Sequence, residues 1–407
     1  VNVIFVEPAF PPNQREFVRG LAEAGANVIG IGERPGDWLD GDLRGWMLHY
    51  QQIPNVTDTG ALIEAVRFVQ GKVWVDALES TIESHTMAAA YAREACGIPG
   101  TSVRTAYLCR DKPAMKEALR AVGIRTAQSI GASSSAEVRE FAAAVGYPII
   151  LKPRAAAGAA GTQRVDSDAE LERALSGLGA SGAADVAVEE FVEGHEGFYD
   201  TISVDGHPAY DFISHYYPNV LEAMRERWIS PQFISTNRID SAEDYAEVRE
   251  LGLRAIEALG IGTSATHMEW FFGPKGLRFS EIGCRPPGVR AWDLYAAGND
   301  VDIYREWANA IVHRRVERPL SRRRAAGIVA LRPDRDGAIS RYDGVDEVQR
   351  QFGEWILDSH LPPRGTPTQP VEAGYMANAW IRMAHPDYDT LHHMLNVVGE
   401  TVRVRAS

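Results

Sequence analysis

Short apolar runs alternate with amphipathic stretches through the first hundred residues, and that alternation restricts the fold more than any other feature of the chain. The run Val1-Asn2-Val3-Ile4-Phe5-Val6, closed by Glu7-Pro8, has the make-up of a buried strand in a parallel sheet. Phe17 to Ala24 follows a helical period, and Gly25 stands where such a helix stops. Val28 to Ile31 reads as a second strand, Val73 to Val75 as another, and Ser84 to Ala95 as a helix. Alternation of this kind implies a doubly wound α/β unit. No GxGxxG follows the first strand, so a dinucleotide site there, and with it an NAD-type oxidoreductase, is not supported.

With 407 residues the chain is long enough for two or three packed units, and 45% hydrophobic residues supply their cores. The formal net charge of -13 argues against nucleic acid or an anionic membrane as the main partner. Anionic small ligands remain open to it, because a local cationic site can sit inside an acidic protein. Cys96, Cys109 and Cys284 form no CxxC or Cys/His cluster, which points to reduced thiols rather than a disulfide framework or a zinc site. No apolar run is long enough to span a membrane, and the start lacks the pattern of a secretory signal. A cytoplasmic protein is expected, with an initiator methionine removed ahead of Val1.

Beyond residue 100 the pattern changes. Asp111 to Val122 and Ser133 to Val145 read as helices, the second with serines placed to cap it. Gly146-Tyr147-Pro148 leads into Ile149-Ile150-Leu151 and Lys152-Pro153, followed by small residues from Ala155 to Gly161. Val186 to Val192 and Tyr199 to Val204 read as strands, and Ala246 to Leu259 as a helix. Thr266 to Phe272 and Leu277 to Ile282 read as a hairpin around Gly273-Pro274-Lys275-Gly276. The arginine-rich stretch from Arg314 to Arg324 reads as a solvated connection. Residues 325 to 407 then read as a small α+β domain, with a Pro-rich loop from Leu361 to Pro370.

Chemistry concentrates at a few positions. A loop of Gly and Ala lets backbone N–H groups approach phosphate oxygens, and Lys152 just before it can add a point charge. Alone, that loop reads better as an exposed alanine-rich surface loop, since it is not GxxxxGK[ST]. Glu189-Glu190-Phe191-Val192 with Glu196 sets carboxylates around an apolar pair, as an adenosine site needs, although glutamates at strand ends are common. Glu269 and Glu281 fall on the two strands of the hairpin, where a hard magnesium ion finds carboxylate oxygens. Without a cation the pair repels. Arg285 follows, with Pro286-Pro287-Gly288 after it, and can bind a carboxylate or phosphoryl group in two-pronged fashion; its simpler role is an ion pair to Glu281.

In order and spacing these pieces resemble the ATP-grasp superfamily over about residues 100 to 315. Asp111-Lys112 through Met115-Lys116 is similar to that family's first lysine motif, and Gly146-Tyr147-Pro148 through Lys152-Pro153 to its second. Ala155 to Gly161, with Gly158 and Gly161, falls where the family carries its phosphate-covering loop. The resemblance implies Lys112 and Lys152 on the phosphates and Glu189, Glu190, Phe191 and Val192 at the adenine. It implies Glu196 on the ribose, Glu269 and Glu281 on magnesium, and Arg285 at the acyl phosphate and the later tetrahedral species. Two departures stand out. The loop holds only Ala and Gly, with Thr162 coming after it, and the family's asparagine two residues past the second glutamate is Gly283. The second departure implies one magnesium ligand fewer, with water or a bidentate Glu281 in its place.

The fold implied is an α/β ATP-grasp fold in three parts. These are an N-terminal doubly wound domain at 1–100, an ATP-grasp domain at 101–315 with its lid at about 125–192, and a C-terminal α+β domain at 316–407. The activity implied is ATP- and magnesium-dependent joining of a small carboxylate to an amine through an acyl phosphate, with ADP and phosphate released, by a protein that forms a homodimer. Ala325-Ala326-Gly327-Ile328 and His385-Pro386-Asp387 are similar to the C-terminal part of L-amino acid ligases. A biotin-carboxylase-like enzyme and a non-catalytic nucleotide-binding module are the alternatives. His267 shares a strand face with Glu269 and is a candidate for substrate contact or for deprotonating an amine, as Arg290 is for a second carboxylate. Tyr216, Tyr217, Arg225, Arg227 and Trp228 lie where the family places substrate recognition.

Overall fold

The computed structural model describes residues 1–154, 161–177, 186–371 and 379–407. The first sheet is parallel, with order β3-β2-β1-β4, from β1 (Asn2–Val6), β2 (Asn27–Gly32), β3 (Met47–Gln52) and β4 (Ala77–Glu79). Each strand of β1 and β2 buries nearly every side chain, as a parallel strand covered on both faces must. The strand expected at Val73 to Val75 lies instead at Ala77–Glu79, where Leu78 pairs with Ile4. Trp74, in the middle of the expected run, is 76% exposed, so only Val75 of that run is buried. The apolar run marks the approach to the sheet rather than the strand.

A second sheet, order β5-β8-β6-β7, contains β5 (Ser129–Ala132), β6 (Ile149–Pro153), β7 (Gln163–Val165) and β8 (Val186–Glu190). Its core draws on Val138, Phe141 and Leu171 from the flanking helices Ser135–Val145 and Asp168–Gly177. Ser134 caps the first of these by accepting from Glu137 N.

The largest sheet has eight strands in the order β13-β12-β9-β10-β11-β14-β17-β16. They are β9 (His195–Val204), β10 (His207–Tyr217), β11 (Gln232–Ser235), β12 (Ser264–Gly273), β13 (Gly276–Gly283), β14 (Ala325–Leu331), β16 (Ile356–His360) and β17 (Ala379–His385). β15 (Ile339–Asp343) and β18 (Arg403–Ala406) form a separate two-stranded ribbon. Strands from beyond residue 316 thus continue the sheet that carries the β12–β13 hairpin. The arginine-rich connection is not solvated throughout: Arg322 reaches Asp211 at 2.6 Å, and its side chain is 13% exposed.

The first sheet docks on the largest through the helix Gln14–Glu23, whose Phe17 packs against Trp292, Tyr304 and Trp307. At Gly20 a side chain would begin 2.6 Å from the Tyr304 carbonyl oxygen, so the close approach of this helix to Ile303–His313 requires glycine. This docking aims the carboxyl ends of β1 and β4 at the space beside the β12–β13 hairpin, as open α/β sheets present their ligand sites. Among the described residues no helix is long and apolar enough to cross a membrane.

Candidate active site

A cleft of about 1640 Å³ runs between the β5-β8-β6-β7 sheet, the largest sheet and the loops after β1 and β4. Lys112, Lys152, Glu189, Glu190, Phe191, Val192, Glu196, His267, Glu269, Glu281, Arg285 and Arg290 all line it. Gly161, at positive φ, does not line it, although its neighbour Thr162 does. Gly158 and the rest of 155–160 lie outside the described residues.

The lysines expected at the phosphates are organised by two short elements. Asp111 caps the helix Lys112–Ala121 by accepting from Ala114 N at 3.0 Å and also holds Arg154 at 3.0 Å. Lys112 and Lys116, four residues apart, share the inward face of that helix. Lys116 is fully buried and meets Glu189 Oε1 at 2.5 Å, while Lys152 on β6 meets Glu189 Oε2 at 2.9 Å. Burial works to raise the Glu189 carboxyl, but the two lysines outweigh it and hold the group at about 2. Burial takes Lys116 down to about 8, with Lys152 adding to the effect and Glu189 opposing it. Lys152 moves the other way: burial lowers it, but Glu189 and Glu281 raise it further. Lys112 Nζ lies 3.4 Å from Glu281 Oε2.

Across the cleft, the register of β12 and β13 sets Glu269 directly opposite Glu281, so both carboxylates project from one face. Glu196 on β9 joins them. Burial first, and then Glu269, raise its carboxyl to about 8, against a hydrogen bond of 2.7 Å that it accepts from Val220 N. Among the described residues no group of three His, Cys, Asp or Glu side chains is arranged to hold a metal ion. Two opposed hard carboxylates fit magnesium carried in on phosphates, which completes its shell with phosphate oxygens and water, and do not fit an all-protein cage.

His267 Nδ1 lies 2.7 Å from Asp200, and its Nε2 lies 3.7 Å from Glu269. Asp200 is buried and also accepts from the Tyr295 hydroxyl. Burial lowers His267, but Asp200 and Glu269 overcome it and raise the imidazole to about 9. The Asp200 contact fixes the ring through Nδ1 and turns Nε2 toward Glu269 in the cleft.

Arg285 does not pair with Glu281. Its Nε meets Glu83 Oε2 at 2.8 Å, and one terminal nitrogen donates to the Pro286 carbonyl at 2.9 Å. Glu83 begins the short 3-10 turn Glu83–His85 after β4, and Arg110 donates to its carbonyl at 2.7 Å. A Cβ at Gly283 would lie 3.3 Å from Glu83 Oε2 and 3.5–3.6 Å from Arg285. The room usually taken by a side chain at this position belongs here to the Glu83–Arg285 pair.

The segment expected at the adenine follows β8. Glu190 N donates to Gln128 O and Phe191 N to Pro148 O, and the Arg164 guanidinium lies 4.3 Å from the Phe191 ring centroid. Ala127, Ile150, Val192, Phe271 and Phe279 give this end apolar walls. Of the proposed recognition segment, Tyr216 and Arg225 line the cleft, whereas Tyr217 stacks on His392, Arg227 pairs with Asp336 and Trp228 is 76% exposed.

Lys116, Glu83 and Asp200 belong to the site without having been singled out as site residues. The spacing Lys112-x-x-x-Lys116 carried a signal for the first. Glu83 and Asp200 had none, because their partners lie 202 and 67 residues along the chain.

Residues 117–297 match the ATP-grasp domain model. The L-arginine-specific L-amino acid ligase of Bacillus subtilis is 25% identical over 323 residues, 78% of this chain and 76% of that protein. The crystal structure of L-amino acid ligase from Bacillus licheniformis superposes with a TM-score of 0.78 at 18% identity, over 100% of this chain and 98% of that one. The biotin carboxylase domain dimer of the Hydrogenobacter thermophilus 2-oxoglutarate carboxylase, solved with MgADP and bicarbonate, superposes with a TM-score of 0.68 at 19% identity, over 99% and 90%. Residues 117–297 of the chain thus carry an ATP-grasp domain, the domain of ATP- and magnesium-dependent ligases, and the whole chain has the fold of the L-amino acid ligase structure.

Proposed function

We propose that this cleft joins a small carboxylate to an amine, with amino acids as the substrate class, through an acyl phosphate that yields an amide, ADP and phosphate. The observation that carries the proposal is the meeting, in one cleft, of three lysines, two opposed glutamates and a buried arginine. Phosphoryl transfer asks for positioning and charge neutralisation more than covalent help. Phe191 and Val192, with Ile150 and Phe279, hold the adenine. Glu196, raised toward its protonated form, hydrogen-bonds the ribose.

Glu189 is the counter-charge of Lys116 and Lys152. ATP phosphates take over that place, and the lysines then bind phosphate. Lys112 bridges from the phosphates to Glu281. When bound on Glu269 and Glu281, magnesium would supply Lewis-acid neutralisation of phosphate charge. Arg285 faces the transferring phosphoryl group and the oxygen of the tetrahedral species. The protonated His267 donates beside it. The lid, about residues 125–192, closes to keep water from the acyl phosphate.

The amine reading follows the Bacillus subtilis relative. The likeness to a biotin carboxylase domain favours bicarbonate activation as the second reading. Incubation with Mg-ATP and paired panels of amino acids tests the choice. An amide formed in step with ADP supports ligation, and phosphate release that requires biotin and bicarbonate supports carboxylation. A homodimer is proposed as the working form, to be checked by sedimentation.

A further inference from the structure

In the same cleft, a further cationic position is built into the loop after Arg285. Val289 and Arg290 both have left-handed backbone, with φ 47° and 59°. A β-branched valine seldom takes this conformation, and such strain is kept where the surrounding structure fixes a side chain for a purpose. Here it sets Arg290 at the edge of the cleft, just ahead of the helix Ala291–Asn299.

Asp293 fastens Arg290 by Nε alone, at 2.5 Å. The same carboxylate accepts from Arg382 at 2.8 Å and from the Tyr304 hydroxyl at 3.1 Å, so its oxygens are fully engaged. The terminal nitrogens of Arg290 make no hydrogen bond among the described residues, and the side chain is 50% exposed. Such a guanidinium, held at its root with both prongs free, is shaped for a carboxylate. Beside it lies a flat wall. Trp380 on β17 stacks with its cross-strand partner His360 on β16, with ring centroids 5.7 Å apart, and the Arg290 guanidinium lies 5.8 Å from the Trp380 ring. Both rings line the same cleft.

We propose that Arg290, with Trp380 and His360, forms a subsite for a second carboxylate, one that a substrate carries but the enzyme does not activate, with the body of that substrate packed on Trp380. The carboxylate to be activated must lie near the magnesium-side residues, so this subsite serves a group that survives the reaction. It belongs either to an acceptor amino acid or to a dicarboxylate donor. The proposal rests on the ligase reading for its place in catalysis, but the binding site itself can be tested without turnover.

The test is calorimetry on the full chain loaded with magnesium and a non-hydrolysable ATP analogue. Phenylalanine and phenylalaninamide probe an acceptor carboxylate, and benzylsuccinate and its monoamide probe a donor's second carboxylate. In the wild type, removing the free carboxylate from one of the pairs weakens binding roughly ten- to a hundredfold, as loss of a charge-assisted contact does. Arg290→Gln abolishes that preference, Arg290→Lys keeps part of it, and Trp380→Leu weakens both members of the pair alike. Affinity for the ATP analogue and the melting temperature of Arg290→Gln stay at wild-type values. Discrimination in the phenylalanine pair assigns the subsite to the acceptor, and discrimination in the benzylsuccinate pair assigns it to the donor. Equal binding of acid and amide in both pairs, or a preference that survives Arg290→Gln, overturns the subsite. If the preference behaves as stated while no amide forms in any incubation, the subsite stands and the ligase reading falls.

Discussion

Restoring the asparagine that ATP-grasp sequences usually carry at position 283 should impair this chain. The backbone at Gly283 is not left-handed, so asparagine can adopt it. Its Cβ would arrive 3.3 Å from Glu83 Oε2, a contact that needs a few tenths of an ångström of give. The amide beyond that Cβ then meets Glu83 and Arg285, whose side chains are only 20% and 16% exposed. Full rupture of a buried pair costs about 3–5 kcal/mol, which bounds the stability loss. A displacement of Arg285 by about 1 Å costs on the order of a hundredfold in rate. Gly283→Asn is therefore expected to lower kcat/KM for ADP release on that scale and to lower the melting temperature. Gly283→Ala, which stops at the first contact, should lose much less. Combining Gly283→Asn with Glu83→Ala should be far from additive, because both act on one pair. A Gly283→Asn variant with raised activity and a lower magnesium requirement would refute this reasoning and make Gly283 a lost metal ligand.

Other variants separate the roles in the cleft. Glu281→Gln should abolish turnover while weakening ATP binding less, as paired kinetics and calorimetry will show; unchanged turnover removes Glu281 from the metal site. Lys152→Ala should weaken nucleotide binding by about tenfold or more, the worth of a charge-assisted contact, and unaltered affinity by calorimetry removes it from the phosphates. Glu189 lies at about 2 against an ordinary 4.5, so its contribution to stability is present above 4.5 and fades as pH falls through 2. The fall in melting temperature over that window should be shallower in Glu189→Gln. His267 is raised from 6.5 to about 9, so its contribution is complete below 6.5 and is lost as pH rises through 9. Over that alkaline window the wild type should lose stability relative to His267→Gln, and parallel curves would remove the Asp200–His267 charge pair from the account.

What could be read directly from the chain was local. The hairpin of Glu269 and Glu281 was legible because strand alternation and a Gly-Pro-Lys-Gly turn fix which residues face each other. The helix at Lys112 was legible in the run Asp111 to Val122, and the structure adds that Asp111 caps it. The strand at Ala77–Glu79 was misplaced because three residues with one alanine carry little pattern, while the more apolar Val73-Trp74-Val75 sits outside the sheet. Continuity of the largest sheet across residue 316 was hidden, since pairing of β11 with β14 is a contact between distant segments that neither strand announces. The same holds for the site. Charge balance between Glu189 and two lysines, or between Glu83 and Arg285, exists only once the sheets are docked. For Gly283 the missing side chain was visible and the reason for it was not, because the group that fills the space comes from the N-terminal sheet.

The most direct test of the account is a quenched incubation of the protein with Mg-ATP and an arrayed panel of amino acid pairs, with ADP, phosphate and product mass read together. The account predicts ADP, phosphate and an amide in equal amounts, formed only when a carboxylate and an amine are both present. Phosphate release that depends on biotin and bicarbonate, or AMP and pyrophosphate in place of ADP and phosphate, would contradict it.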